Sequence, residues 1–281
     1  MSKVAIVTDS SPYIPADIIK ANQIHVGPLT VIWGEETFYD GVDITPVEFY
    51  QRLETAKVMP STSQPSVADF EVLFRSLHQQ GYEILAVLLS EVLSGTISSA
   101  TQAKKLLPEA KIEIVNSKTL AMALGFQVLA AARAANQGKS LEECKRLAEE
   151  SRDRTGVIFV LDTLEFLHRG GRIGGAKRFM GTLLNVKPVL AIEDGVIVPL
   201  DSVRTQKKAL TTIIDLVAER TKGKKNIRLA TLHANNPVIA QEVLDEACRR
   251  IECVEQIFSE VSPVIGTHAG PGAVGLAYMY D

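Results

Sequence analysis

The sequence predicts an α/β protein built from two α/β domains, and three observations carry that prediction. Short β-branched runs alternate with helical patterns through the first half, which is the signature of a mostly parallel sheet flanked by helices. Helix starts are marked by side-chain caps at fixed spacing. A Gly/Arg-rich stretch from His168 to Gly175 then breaks the alternation, and a second alternation follows it. This stretch is the candidate junction region, and the domains are expected at residues 1–156 and 157–281. The 281 residues suffice for two domains at roughly 100–200 residues each.

Taken in order, strands are expected over 4–7, 24–33, 84–89 and 112–115. Thr45-Pro46-Val47-Glu48 and Ser140-Leu141-Glu142-Glu143 read as capping boxes, and Ser66 precedes Asp69 at the same spacing, so helices are expected over 46–56, 67–80 and 140–153. The segment 118–136 is rich in Ala, Leu and Met. It is apolar nearly all the way round, so it should be a buried helix, stopped by Gly138 in a left-handed conformation. A strand over 157–161 precedes the Gly/Arg-rich stretch. Beyond it, 189–192 and 196–200 flank Glu193-Asp194-Gly195, an Asp-Gly hairpin signal. Helices over 205–221 and 237–250 alternate with strands over 227–233 and 254–259, and a last strand covers 273–280.

Charge and composition exclude several functions. Thirty basic against thirty-three acidic side chains give a net charge of −3, which offers no global attraction to nucleic acid or to an anionic membrane. Cys144, Cys248 and Cys253 show no C-x-x-C spacing and read as reduced. The first apolar run reaches Thr8 too soon for a signal peptide. The apolar stretch 121–135 is interrupted by Gln127 and Arg133 and is shorter than the ~20 residues that span a bilayer. A soluble, cytoplasmic protein with no stable membrane insertion is expected.

Three hydroxyl-rich loops stand out: Thr8-Asp9-Ser10-Ser11, Thr62-Ser63-Gln64-Pro65-Ser66 and Ser94-Gly95-Thr96. The first and third follow predicted strands, at the sheet edge where open α/β proteins bind ligands. One such loop is more often a helix cap than a site. Three on one edge favour an anion site, because hydroxyls and free amides at helix starts hold phosphate or carboxylate. Ser94 as a nucleophile is the alternative, giving a serine-dependent acyl hydrolase, although the G-x-S-x-G elbow is absent. A small-molecule phosphotransferase is another, with Asp9 resembling phosphoryl-transfer aspartates.

Gly270-Pro271-Gly272-Ala273-Val274-Gly275 matches G-x-G-x-x-G but stands six residues from the C-terminus, without room for a dinucleotide-binding unit. No G-x-x-x-x-G-K-[ST] loop is present. His25, His78, His168 and His233 have no metal-ligand spacing. No cofactor and no metal are therefore expected. His268 can donate to an anion, and Arg172 and Arg204 can clamp a carboxylate or face a partner.

In order along the chain, Thr8-Asp-Ser-Ser11, Thr62-Ser-Gln-Pro-Ser66, Leu93-Ser-Gly-Thr96, Gly170-Gly-Arg-Ile173, Lys187-Pro188, Val203-Arg204 and Thr267-His-Ala-Gly-Pro-Gly-Ala273 resemble the DegV family over essentially the whole chain. The resemblance implies two α/β domains around a buried tunnel for one long-chain fatty acid. It also implies a carrier, not an enzyme, that offers the bound carboxylate to a separate ATP-binding protein, a fatty acid kinase. On that reading Thr62, Ser63, Ser94, Gly95 and Thr96 form the carboxylate site with His268 and Arg172 beside them, and Arg204 faces the partner. Ile97 stands where the family commonly has an aromatic, which is expected to alter the tunnel's shape. Thr205-Gln206 follow Arg204 where the family commonly has a more basic or glycine-containing run, beside the expected docking face. A lipid buffer with no kinase partner is the competing reading within the family.

Overall fold

In the computed structural model, residues 3–179 and 186–281 are described, and they form three sheets. The first half runs β1 (Lys3–Asp9), α1 (Ala16–Ala21), β2 (Ile24–Gly27), β3 (Thr30–Trp33), β4 (Glu36–Tyr39), α2 (Pro46–Thr55) and β5 (Ser61–Ser63). It continues with α3 (Val67–Gln79), β6 (Tyr82–Leu88), α4 (Thr96–Lys105), β7 (Ile112–Asn116), α5 (Ala121–Asn136) and α6 (Leu141–Arg152). The second half runs β8 (Thr155–Val160), α7 (Glu165–Arg169), a 3-10 turn over Gly174–Phe179, β9 (Lys187–Glu193), β10 (Val196–Val203) and α8 (Gln206–Thr221). Then follow β11 (Ile227–His233), α9 (Pro237–Arg250), β12 (Cys253–Ile257), α10 (Pro263–Ala269) and β13 (Val274–Met279).

The chain is thus an α/β protein. Strands β2-β1-β6-β7 form an all-parallel sheet in that order. Residues 5–9 of β1 and 84–88 of β6 are buried throughout, as strands covered on both faces must be. Strand order reverses between β1 and β6, which opens a crevice at their carboxyl ends. The Asp9 carboxylate closes part of it: Oδ2 accepts from the Leu89 amide at 2.8 Å, and Oδ1 accepts from the amide and hydroxyl of Ser11 at 2.9 and 2.5 Å.

Residues 155–279 supply a mixed six-stranded sheet, β10-β9-β8-β13-β11-β12, parallel only between β11 and β12. The hairpin between β9 and β10 turns on Asp194 and Gly195, both at positive φ (47° and 84°), which suits the twist of a two-residue hairpin. Helix α5 lies between the two large sheets, against β1 and β6 of one and β8, β11 and β13 of the other. Burial on both sides explains its nearly all-round apolar surface. Its one internal amide side chain anchors it through the NH2 group: buried Gln127 donates to the Ser117 carbonyl at 3.2 Å and to Thr155 Oγ1 at 3.0 Å, while its Oε1 has no partner.

Capping boxes are present at the starts of α2, α3 and α6, where Thr45, Ser66 and Ser140 accept from the amides of Glu48, Asp69 and Glu143. Three expectations need correction. The single strand expected over 24–33 is two strands in different sheets, because Pro28 has no N–H to donate to a ladder and the chain turns away there. The expected helix over 118–136 begins only at Ala121, since Lys118 and Ala121 adopt left-handed backbone (φ 54° and 49°). The Thr62-Ser63 loop is the edge strand β5, pairing with β3 in the small antiparallel sheet β4-β3-β5.

Candidate functional site: a polar ring on an apolar cavity

A narrow cavity lies where the small sheet, the loop after β6, the second sheet and α10 meet. Its volume is about 80 Å³. Such a cavity is slender, not roomy. Most of its wall is apolar, with Val157 and Phe159 from β8, Ile192 from β9 and Leu232 from β11 facing Leu89 and Leu120 from the first half.

The polar lining residues are Thr62, Ser63, Gln64, Ser94, Arg172 and His268, and contacts link them into a closed ring. Thr62 Oγ1 and His268 Nε2 are 2.8 Å apart. The imidazole packs onto Gly170, where any Cβ would overlap Nδ1. Arg172 returns from there, donating Nη1–H to the Gly170 carbonyl at 2.7 Å and Nε–H to the Leu93 carbonyl at 3.2 Å. Ser94 follows Leu93, and the Gln64 side chain packs within 3.2 Å of a Cβ built on Gly95, which closes the circuit back to β5. Arg172 also lines two outer clefts, one shared with Ser94 and Gly95 and one with Thr62 and His268. The ring therefore stands between the apolar cavity and the surface.

Electrostatics favour an anion inside it. His268 is partly buried and its pKa is lowered to about 4, first by desolvation and then by the neighbouring Arg172 charge. The imidazole is neutral at pH 7, and its Nδ1 is buried without a hydrogen-bond partner. Among the described residues no carboxylate lines the cavity to pair with Arg172. Ser94 Oγ and Thr96 Oγ1 are 2.9 Å apart. Ser94 is therefore partnered by another hydroxyl rather than by His268, so the nucleophile–base contact of a hydrolase is not formed in this arrangement.

The structure brings Thr62, Ser63, Ser94, Arg172 and His268 together on one cavity. Gly95 lies on the outer side of the ring, and Thr96 is fully buried behind Ser94. Arg204 is exposed between β10 and α8 and lies outside this cavity's lining. The Thr8–Ser11 loop is absent from that lining as well: Asp9 accepts from Leu89 and Ser11, and the Ser10 hydroxyl is taken up by Leu29 and Asp40. Ile97 packs into the separate core formed around Phe70 and Phe74, so it does not shape the cavity. Sequence reasoning left Gln64 and Gly170 out of the site, although both sit inside quoted motifs.

Among the described residues no group of three His, Cys, Asp or Glu could hold a metal ion, and no helix is long and apolar enough to cross a membrane. An apolar cavity with a ring of neutral donors and one guanidinium is the arrangement of a small-ligand binding protein. The sequence pattern that defines the DegV family matches residues 3–281, and the chain belongs to that family. It is 34% identical to the protein DegV of Bacillus subtilis over 278 residues, covering 99% of each chain. The crystal structure of that fatty acid binding protein superposes with a TM-score of 0.91 over all of both chains. A DegV family protein from Thermus thermophilus, described for its fatty acid binding, is 33% identical with a TM-score of 0.94 over 99% of this chain and 100% of its own.

Proposed function

We propose that this chain binds one long-chain fatty acid in the cavity, with the carboxylate held at the polar ring, and presents it to a separate ATP-dependent fatty acid kinase for acyl-phosphate formation. The observation that carries this reading is the ring itself: donors without a lining carboxylate, at one place on an otherwise apolar wall. Burial of an alkyl chain gains about 0.8 kcal/mol per CH₂, so ~15 methylenes contribute roughly 12 kcal/mol before the costs of binding. Affinity comes from the tail. A buried carboxylate is costly without donors, so the ring sets orientation.

The roles follow from the contacts. His268 donates Nε2–H to Thr62, which leaves the Thr62 hydroxyl free to donate to the carboxylate. Ser94, braced by Thr96, donates from the other side, while Ser63 and Arg172 complete the anion's shell. No covalent intermediate with the chain is part of this scheme, and the kinase supplies ATP. Residues 1–156 and 157–281 act as the two domains that enclose the tail, Arg204 faces the kinase, and the carrier works in the cytoplasm.

Native mass spectrometry of the purified chain, followed by organic extraction, tests the ligand. A long-chain fatty acid at one per chain supports the reading. An empty protein that also refuses added palmitate overturns it. Incubation of the loaded chain with the kinase and ATP then tests presentation, and a bound acid that yields no acyl phosphate reduces the chain to a lipid buffer.

A further inference from the structure

A second, larger cavity, of about 420 Å³, lies at the carboxyl end of β1. Its charge is one-sided. Asp9, Asp40 and Glu260 line it, and among the described residues no Lys, Arg or His does. Burial raises the pKa of all three carboxyl groups, with Asp40 reaching about 7, and no cation is among the causes acting on them. Buried carboxylates are normally paired with a cation or coordinate a metal.

Two further observations point to a ligand. Thr8 lines the same cavity, and its hydroxyl is buried without a hydrogen-bond partner. Tyr13, also in the wall, is held at φ 48°, a backbone conformation that costs a bulky side chain energy, with its carbonyl accepting from Ser259 Oγ at 2.8 Å. The rest of the lining is largely apolar, and Val42 and Phe258 stand exposed among it. A bare metal ion does not suit this place, since no three acidic or imidazole groups among the described residues could hold one.

We propose that this second cavity binds a small organic ammonium ion with an apolar body, its N–H groups donating to Asp40, Glu260 and the Thr8 hydroxyl. The body lies against Ile14, Val26 and Phe258. Asp40 already accepts from Ser10 Oγ at 2.6 Å, from the Val264 amide at 3.3 Å and from the Ser262 side chain, but a carboxylate has about four acceptor positions and keeps room for one more donor. Val264 lines the first cavity, so Asp40 ties the two sites through the first turn of α10. The proposal stands independently of what the first cavity holds.

The test uses 2-phenylethylamine as the probe, titrated into the full chain and followed by protein NMR, with phenylacetate and 2-phenylethanol as anionic and neutral controls of the same shape. The amine is expected to saturate, to shift amides around Ala16, Ile19 and Phe258 while leaving those of Arg172 and His268 in place, and to bind at least about tenfold tighter than either control. Glu260→Gln is expected to weaken it by about tenfold. Val42→Arg, a change at an exposed rim position that brings in a competing cation, is expected to abolish binding without unfolding the chain. Equal binding of the alcohol or the acid, failure to saturate, shifts centred on Arg172 and His268, or undiminished binding in both variants would each overturn the proposal.

Discussion

His268 Nε2 and Thr62 Oγ1 stand 2.8 Å apart although 206 residues separate them in the chain. The pair joins α10 to the edge strand of the small sheet, and each partner is polarised by the other. His268→Ala and Thr62→Val are both expected to weaken carboxylate retention by about 10- to 100-fold, the loss of one or two charge-assisted hydrogen bonds. Far-ultraviolet circular dichroism should be unchanged. Palmitate retention and kinase-coupled turnover equal to the parent chain in both variants, and in Ser94→Ala, would remove these residues from the site.

Gly170 is a steric test of the same pair. Its own φ is −74°, so alanine fits the backbone, and the three atoms nearest the new methyl all belong to the His268 ring. Gly170→Ala is expected to displace the imidazole at a cost of about 1–3 kcal/mol in stability, the usual scale of overpacking. Together with His268→Ala the change should add nothing further to the loss of ligand retention, since the double variant has no ring to displace. A double variant measured as the sum of two independent losses would place the effect of Gly170 elsewhere.

Asp40 makes stability depend on pH in an unusual direction. Burial raises its pKa from 3.8 to about 7, so between those values the folded chain holds a proton that the unfolded chain has released. The stabilising contribution is fully present below the lower value and is lost as pH rises through about 7, at ~1.4 kcal/mol per unit, or a few kcal/mol in all. The parent chain should therefore lose stability relative to Asp40→Asn between pH 5 and pH 8 in urea unfolding. Parallel pH profiles for the two proteins would contradict this assignment.

Cys248 and Cys253 also make a checkable pair. Their sulfurs lie 3.2 Å apart, while Cys144 is buried elsewhere. Diamide treatment of the folded chain is expected to consume two of the three thiols and lower the mass by about two hydrogens, leaving Cys144 free. Burial and the neighbouring sulfur push the Cys248 thiol up to about 12, so the reaction should be slow at pH 7 and quicken as pH rises. Three thiols surviving prolonged oxidation would show that the pair cannot close.

Much of the fold was legible because local rules agree with it. The capping boxes of Thr45, Ser66 and Ser140 and the Asp194-Gly195 turn each act within a few residues, and each appears where the sequence puts it. Pro28 was a local signal too, and giving it full weight would have split the strand at 24–33. Long-range outcomes were less legible. Nothing within β5 says that Thr62 pairs with Val31 across the small sheet. Likewise, nothing near Asp9 says that its carboxylate will be occupied by Leu89, 80 residues on. The apolar wall was the least visible part, because Val157, Ile192 and Leu232 read as ordinary strand interior until two sheets and a helix are assembled around them.

Helix α5 carries a consequence for how the molecule can come apart. It is flanked by strands of both large sheets, and Gln127 ties it to Ser117 on one side and Thr155 on the other. A chain cut after Arg154 would leave one fragment with an unmatched apolar helix face and the other with an unroofed sheet. Neither piece should fold alone, whereas the two produced in one cell should reassemble by complementation. The shared helix should make melting of the two large sheets a single event, and a calorimeter should record one transition where two independent units would give two.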